Sequence, residues 1–280
     1  MKLYNLVLSG GGVRSYAHIG VYKFLYEEGI EFDEIIGVSG GAIIAPFIFL
    51  RKKPNDIINL FLKEKIHHLL FPFWFIPNKF ELLIAERSTQ KLGDWIENKF
   101  TNEELGFIKN SNRLHIMGTC YPTKGCGTSG IDMLNITSLK NAVAASCAIS
   151  GIFKAIRIGD FSYIDGGHWN NAPIFYDFKN SCSPLLVSAL GYTGLCLHEG
   201  GRISKLIRSF EIASYARLKE DVEQWEFEKN CKQRGDLILI KPPVWDINSL
   251  DFNISESQIE TLIENGYNAC KKAFAKEMVA

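Results

Sequence analysis

The sequence has little of the chemistry that would indicate a nucleic-acid-binding, metal-binding or membrane-spanning protein. Lys and Arg total 31, as do Asp and Glu, so the formal net charge is zero and no basic surface is indicated. The seven cysteines are scattered, without a C-x-x-C pair or Cys/His ligand spacing. No uncharged apolar stretch reaches the ~18 residues that a spanning helix needs. We therefore expect no nucleic-acid partner, no structural zinc site and no spanning helix. A cofactor is not expected either.

The N-terminus also lacks the features of a signal peptide, because residues 1–8 form only a short apolar stretch that glycines follow at once. Scattered free thiols suit a reducing compartment, so we expect a cytoplasmic protein. The composition is that of an ordinary globular chain, with 46% hydrophobic and 22% charged residues. A chain of 280 residues can build one large core, and we expect a single α/β domain over residues 1–280. The oligomeric state is left open.

The first fifty residues predict the start of a parallel α/β sheet. Leu3–Leu8 has the composition of a buried strand, and residues 15–28 carry the apolar stripe of an amphipathic helix that Gly29 ends. A second β-branched run, residues 35–38, is followed by small and aliphatic residues with helical periodicity. Strand, helix, strand and helix in this order are typical of a mainly parallel sheet.

Further along, the pattern is less regular. We expect a helix over residues 55–70 with Asn55 as its N-cap, and a turn or hairpin loop over 121–131. Residues 203–230 predict a long charged helix on the surface, and the C-terminal helix is expected to be interrupted or bent at Gly266.

An aromatic run with two prolines occupies residues 69–77. The prolines argue against a central strand or a helix interior. Two interpretations stay open: a loop tucked into the core, or an exposed apolar flap that makes a peripheral contact with a membrane or a partner.

Ser39 lies in the G-x-S-x-G pattern of a nucleophile elbow, between Gly37 and Gly41. In such an elbow a strand turns sharply into a helix, and glycines are needed because Cβ atoms would collide with neighbouring backbone. The following helix N-terminus favours a developing negative charge on the serine oxygen. Ser39 is therefore the candidate nucleophile.

A glycine-rich loop, Gly10, Gly11 and Gly12, ends the first strand. It lacks the Gly-Lys-Ser/Thr of a P-loop and the spacing G-x-G-x-x-G, so an oxyanion hole beside the serine fits better than a phosphate site. Arg14 could hold this loop, meet an anionic substrate or be a surface arginine that caps nothing.

The base for Ser39 is sought among the histidines and carboxylates. His168 and His198 lie late enough for a Ser-Asp-His order, but neither has a distinctive context, and His18 lies within a helix, where packing is its expected role. Asp165 ends an apolar strand and precedes Gly166 and Gly167. A carboxylate there can approach another loop and act as a base if burial raises its pKa, or it can simply shape an Asx turn.

Together these motifs resemble the patatin-like phospholipase family. The resemblance rests on ordered segments that match its oxyanion loop, its nucleophile elbow, its Ala-Ser-x-Ala-x-Pro block, its Asp-Gly-Gly/Ala motif and its Asn-x-Pro: residues 10–14, 37–41, 144–153, 165–167 and 170–173. The last hundred residues match only loosely.

The resemblance implies a three-layer α/β/α fold and metal-free hydrolysis of lipid acyl esters, with Ser39 and Asp165 as a catalytic dyad and phospholipids or lysophospholipids as substrates. Acyl transfer through the same acyl-serine, or an inactive lipid- or partner-binding protein, are the alternatives. Three positions depart from the family pattern: Ser15 replaces a usual glycine, Ser150 a usual proline, and Gly40 a common alanine. Loop geometry is expected to survive these changes.

Overall fold

The computed structural model describes residues 3–66, 69, 80–121, 128–190, 202–232 and 234–277. Within these ranges eight strands form one mixed sheet. The strands are β1 (Leu3–Leu8), β2 (Glu31–Val38), β3 (Leu114–Tyr121), β4 (Ser129–Asp132), β5 (Ile156–Ile158), β6 (Phe161–Asp165), β7 (Leu185–Ser188) and β8 (Leu237–Ile240).

The sheet has the order β5-β6-β3-β2-β1-β7-β8, with β4 paired to β3. Strands β3, β2, β1, β7 and β8 run parallel, whereas β4, β6 and β5 add antiparallel pairs at one side. The expectation of a mainly parallel α/β fold is confirmed. Because β1 and β2 are parallel neighbours, the segments that follow them emerge at the same edge of the sheet, which puts the glycine loop beside Ser39.

The described helices are α1 (Tyr16–Glu27), α2 (Gly40–Phe49), α3 (Pro54–Glu64), α4 (Phe80–Glu97), α5 (Asn102–Ser111), α6 (Leu139–Ser146), α7 (Arg202–Lys232) and α8 (Glu256–Glu277). They cover both faces of the sheet, as alternating strand residues show: Leu6 and Leu8 join one apolar core, and Val7 joins the other. The first core includes residues of α1, α2 and α8, and the second includes Leu218 and Trp225 of α7.

Two expectations for the first helices meet different outcomes. Gly29 has a φ of +69° just after α1, as a helix-ending glycine requires, so that prediction is confirmed. The predicted N-cap at Asn55 is wrong, because α3 begins at Pro54 with Lys53 as its N-cap. Proline suits the first helical position because its φ is already helical and no N–H is needed there. This helix ends at Glu64, earlier than expected.

The long charged helix predicted over residues 203–230 is α7, and it lies on the surface with one face buried, because most of its described side chains are exposed or half-buried. In α7, Trp225 is 1% exposed, and Leu218 and Asp221 are also buried. Their spacing of three and four residues puts them on one face of the helix, which packs on the sheet although most α7 side chains are polar.

Of the interruption or bend predicted at Gly266, the interruption is wrong, because α8 runs without a break from Glu256 to Glu277. A Cβ at Gly266 would lie 1.9 Å from the carbonyl oxygen of Ala17, and one at Gly20 would lie 1.8 Å from that of Ile263. The two glycines therefore allow α1 and α8 to cross in close contact.

Part of the expected 121–131 loop is strand β4, and residues 122–127 lie outside the described residues.

Candidate active site

Ser39 lies at the turn between β2 and α2 in an unusual backbone conformation, with φ 50° and ψ −120°. A side-chain-bearing residue rarely adopts a positive φ, and such strain is common at functional positions. The flanking glycines make the turn possible, because a Cβ at Gly37 would lie 2.7 Å from Cα of Ala42, and one at Gly41 would lie 2.3 Å from the carbonyl oxygen of Leu8. The predicted elbow geometry is therefore present.

The elbow is hydrogen-bonded to Ser146, the last residue of α6. Its Oγ accepts a hydrogen bond from the Ser39 backbone N–H at 2.9 Å and donates one to the carbonyl oxygen of Met117 at 2.6 Å. Ser146 belongs to the small-residue block singled out in the sequence, but nothing in the sequence predicts this contact. Its hydroxyl connects the serine turn to β3.

Asp165 ends β6, which pairs with β3 so that Gly118 lies opposite Asp165. The Ser39 hydroxyl donates to Asp165 Oδ2 at 2.5 Å, and the Gly167 N–H donates to Oδ1 at 2.7 Å. A Cβ at Gly166 would lie 2.3 Å from the carbonyl oxygen of Met117, so this turn also needs glycine. The structure thus brings the two predicted side chains into direct contact across 126 residues of chain.

The environment of Asp165 favours its protonated form. The residue is 4% exposed, and burial raises the pKa of its carboxyl from 3.8 to about 7. The hydrogen bonds from Ser39 and Gly167 act in the opposite direction, because both stabilise the carboxylate, but they offset only part of the desolvation. A carboxylate with a pKa near neutrality is a far stronger base than an exposed aspartate.

The glycine loop lies directly against Ser39. A Cβ at Gly10 would be 3.0 Å from Cβ of Ser39. Gly12 has a φ of +56°, and a Cβ there would lie 1.9 Å from the carbonyl oxygen of Ser249. The Gly10 N–H donates to the Asn171 carbonyl oxygen at 3.3 Å, whereas the amides of Gly11 and Gly12 have no acceptor among the described residues. Within the part of the chain that the structure describes, two backbone donors of the loop that lines the Ser39 cavity therefore lack an acceptor.

Asn171 ties this loop to the Asp165 turn. Its side-chain amide donates to the Gly10 carbonyl oxygen at 3.2 Å, while its backbone carbonyl accepts from the Gly10 N–H. A Cβ at Gly167 would lie 2.8 Å from Asn171 Oδ1, so the three segments are in close contact. The sequence placed Asn171 in a motif but gave it no role.

Arg14 is buried, and its guanidinium is engaged within the protein. Nε donates to the carbonyl oxygen of Ile247 at 2.6 Å, and Nη1 donates to Glu211 of α7 at 2.8 Å. Burial lowers the pKa of Arg14, and the Glu211 carboxylate acts against that shift. Its burial rules out the surface alternative for Arg14, and of the other two these contacts favour holding the loop.

A cavity of about 100 Å³ opens onto Ser39, Asp165 and the glycine loop, with Ile149, Leu190 and Phe210 among its apolar walls. Its volume is that of a few water molecules, which is enough for an ester group. The candidate groups thus face one shared space at the carboxyl edge of the parallel strands, where α/β folds commonly bind their ligands.

The histidines do not take the place of Asp165. His168 lines the cavity, its ring packs against Phe210, and burial lowers its pKa. His198 lies outside the described residues. His18 is fully buried on α1. Ser39 donates to Asp165 rather than to any of the histidines that the structure describes.

The aromatic run at residues 69–77 is not described beyond Leu69, which is partly buried against the core. Both interpretations of that run therefore stay predictions. Across the described ranges, no helix combines the length and the apolar character needed to cross a membrane.

The profile of the family described as Patatin-like phospholipase matches residues 6–177, more than half of the chain and all of the site segments up to the Asn-x-Pro motif. The chain belongs to the patatin-like phospholipase family. Membership supports hydrolysis of lipids as the general activity.

Individual relatives differ in how much of their length this chain covers. Uncharacterized protein YqhO of Bacillus subtilis is 27% identical over 93% of this chain and 94% of its own length. Lysophospholipase NTE1 of Candida glabrata is 22% identical over 66% of this chain but only 10% of its own length. Among solved structures, VipD from Legionella pneumophila superposes with a TM-score of 0.55 at 15% identity, over 98% of this chain and 67% of VipD. That likeness supports the three-layer α/β/α fold.

Proposed function

We propose that this protein is a lipid acyl hydrolase that cleaves carboxylic esters of phospholipids or lysophospholipids through a Ser39–Asp165 dyad. The observation that carries the proposal is the 2.5 Å hydrogen bond from the Ser39 hydroxyl to Asp165 Oδ2. It joins a strained elbow serine to a buried carboxyl group whose pKa is about 7. Family membership gives lipid esters as the substrate class.

Acylation begins when Ser39 Oγ attacks the ester carbonyl carbon and its proton passes to Asp165 Oδ2. The carbonyl oxygen becomes an oxyanion, for which we assign the N–H groups of Gly11 and Gly12 in the cavity lining as donors; Gly10 can contribute only if its long bond to Asn171 opens. Asp165 then returns the proton to the leaving alcohol oxygen as the C–O bond breaks. The products of this half-reaction are an acyl-Ser39 ester and the lyso lipid or alcohol.

Deacylation repeats these steps with water as the nucleophile. Asp165 accepts a proton from the water molecule, whose oxygen attacks the acyl carbon, and the proton then returns to Ser39 Oγ as the fatty acid leaves. A direct dyad needs no histidine relay, which agrees with a hydroxyl-to-carboxylate contact of 2.5 Å. The turn that holds Asp165, with Gly167 N–H on Oδ1, keeps Oδ2 directed at the serine.

The test combines covalent labelling with lipid analysis. A fluorophosphonate probe is expected to label Ser39 in the wild type, and the purified protein is expected to release free fatty acid from mixed phospholipid and lysophospholipid vesicles. Ser39→Ala and Asp165→Asn should abolish both while circular dichroism stays unchanged. Matched controls are Ser181→Ala and Asp160→Asn, which alter exposed residues and should leave both readouts intact.

Other outcomes separate the alternatives. Comparable fatty-acid release by Ser39→Ala would remove Ser39 from the mechanism. Acylated glycerol or acylated lysolipid as the main product, with little free fatty acid, would show acyl transfer. A wild-type protein that neither reacts with the probe nor consumes any lipid would show an inactive lipid- or partner-binding protein.

A further inference from the structure

His18 lies directly behind the glycine loop and makes two side-chain hydrogen bonds although it is fully buried. Its Nε2 is 2.8 Å from the carbonyl oxygen of Ser9, the residue that precedes the loop. Its Nδ1 is 2.7 Å from the hydroxyl of Ser188, at the end of β7. Both ring nitrogens are therefore engaged in the interior of the protein.

These contacts fix the tautomer of the ring. A carbonyl oxygen can only accept, so the Nε2 that faces Ser9 must carry a hydrogen. Burial lowers the pKa of His18 to about 4, so the ring is neutral near pH 7 and Nδ1 carries a lone pair. The Ser188 hydroxyl must then donate to Nδ1. The pair of Ser188 and His18 thus presents a single N–H to the Ser9 carbonyl.

The Ser9 carbonyl belongs to the peptide plane that starts the glycine loop. In a trans peptide the C=O and the following N–H point in opposite directions. Here the C=O meets His18, and the N–H of Gly10 meets the carbonyl oxygen of Asn171. The plane is therefore held from both ends, at the start of the loop whose next two amides are those of Gly11 and Gly12.

Other contacts anchor residue 9 but do not orient this plane. The Ser9 N–H donates to the Ser188 carbonyl oxygen at 3.1 Å, and Ser9 Oγ accepts from the Leu190 N–H at 2.8 Å. Both position Ser9 on the end of β7, and Ser9 Oγ donates to the Gly10 carbonyl oxygen at 3.1 Å, which lies in the next peptide plane. Among the described residues, His18 is the side chain that bonds the carbonyl itself.

We infer that His18 is a positioning residue for catalysis: through its Nε2–H bond to the Ser9 carbonyl, in the tautomer that Ser188 selects, it sets the direction of the glycine-loop amides toward the oxyanion. The inference rests on the proposed function, because it assigns those amides to transition-state stabilisation. A buried imidazole is costly to desolvate, and an aliphatic side chain would fill the space without that cost. The hydrogen bond to the Ser9 carbonyl explains why a buried His18–Ser188 pair is present at this place.

Three variants test the role of the bond. His18→Leu removes both hydrogen bonds, Ser188→Ala removes the partner that selects the tautomer, and His18→Gln can restore an Nε2 donor near the same place. We expect His18→Leu to lower kcat by about 10–100-fold with KM changed by less than about twofold, since oxyanion donors act in the transition state. Ser188→Ala should lower kcat by about threefold to tenfold, and His18→Gln should recover most of the loss.

Val21→Ala is the matched control, because Val21 is fully buried on the same helix and is not part of the site. It should lower the melting temperature as a cavity variant does, while kcat stays within about twofold of the wild type. The double variant His18→Leu/Ser188→Ala should be no slower than His18→Leu alone, because both changes disable one unit.

The loop itself provides a readout that does not depend on activity. Hydrogen exchange of the peptide that contains residues 9–14 should speed up in His18→Leu and stay near the wild-type rate in Val21→Ala. Unchanged kcat and exchange in a folded His18→Leu protein, or a kcat loss in Val21→Ala of the same size, would overturn the inference. A wild-type enzyme without ester hydrolysis would contradict the proposed function instead, and the exchange comparison would still decide whether His18 orders the loop.

Discussion

Ser15 Oγ lies 1.9 Å from the place where a Cβ on Gly40 would stand. These two residues are two of the departures from the family pattern that the sequence shows, a serine for a usual glycine and a glycine for a common alanine. In this protein the serine side chain fills the space that the alanine methyl group would need. The two departures therefore compensate each other, and the contact between the 3-10 turn Gly12–Ser15 and helix α2 is kept.

Because Ser15 and Gly40 share this space, we expect substitutions at the two positions to be coupled. Gly40→Ala alone should lower the free energy of unfolding by about 1–3 kcal/mol, because the new methyl group overlaps Ser15. Adding Ser15→Gly should recover part of this loss; the rest persists because the Gly12 carbonyl oxygen is 2.9 Å from the same Cβ position. Urea denaturation of the two single variants and the double variant gives the coupling energy. Strictly additive effects would show that the two positions do not share this space.

The pH profile of hydrolysis should report the ionisation of Asp165. The proposed mechanism needs the carboxylate, and burial raises the pKa of this group to about 7. We expect kcat/KM to rise about tenfold per pH unit below that pKa and to level off above it. Initial rates with a neutral ester between pH 5 and 9 measure this profile. A profile that is already flat at pH 5 would show that a group with an ordinary carboxyl pKa limits the reaction.

Asp165 should also make the folded protein less stable as the pH rises. The pKa of its carboxyl is 3.8 in an unperturbed aspartate, as in the unfolded chain, and about 7 in the folded protein. Between these two pH values the folded state holds a proton that the unfolded chain has released. Stability is then lost with increasing pH, by roughly 4 kcal/mol in all from this one group. Asp165→Asn removes the ionisation, so its urea midpoint should exceed that of the wild type at pH 8 and by less at pH 5. A lower midpoint at pH 8 would contradict the burial cost.

Ser39 and Asp165 could each be singled out because each carries a local signature: it follows an apolar strand and precedes glycines. That the two form a pair was implied by the resemblance to the patatin-like family, because the local pattern at Asp165 also fits an Asx turn. The glycine loop was predictable in a similar way. It follows β1 and Ser39 follows β2, and consecutive parallel strands commonly lie side by side. These features could be predicted because the backbone conformation at each of them restricts the residue types at neighbouring positions.

The supporting residues could not be predicted because their partners are remote. Ser146 meets Ser39 across 107 residues, and His18 meets Ser188 across 170. A serine in a helix or a strand has no local signature for such a bond. The buried face of α7 went unpredicted for a related reason: it carries few apolar residues, so charge dominated the pattern.

Arg14 should affect the protein as a structural contact and not through substrate charge. Its guanidinium bonds the Ile247 carbonyl oxygen and Glu211, so Arg14→Lys should lower the free energy of unfolding by about 1.5–3 kcal/mol. The ratio of kcat/KM between an anionic lysolipid and a neutral short-chain ester should stay within about twofold of the wild type. Glu211→Gln breaks the same ion pair and should destabilise comparably. A selective loss of the anionic substrate in Arg14→Lys would instead show contact with its head group.

The final prediction concerns a buried ionic cluster on β2, β3 and β4. His115 Nε2 is 2.9 Å from Glu34, its Nδ1 is 2.8 Å from Asp132, and the Tyr176 hydroxyl is 3.0 Å from that same nitrogen. The ring and both carboxylates are buried. Removing the ring takes one donor from each of two buried carboxylates, which keep only backbone donors among the described residues, whereas removing the peripheral hydroxyl loses one hydrogen bond.

We therefore expect His115→Leu to lower the free energy of unfolding by about 3–5 kcal/mol, because Glu34 and Asp132 lose the donor between them. Tyr176→Phe, the matched milder change, should cost about 1 kcal/mol. Urea denaturation measures both, and fluorophosphonate labelling of Ser39 in the folded fraction should stay near the wild-type rate because the cluster does not line the active-site cavity. Equal, small losses in the two variants would show that the carboxylates do not depend on His115. A folded His115→Leu protein that no longer labels would show that the cluster also supports the elbow through β3.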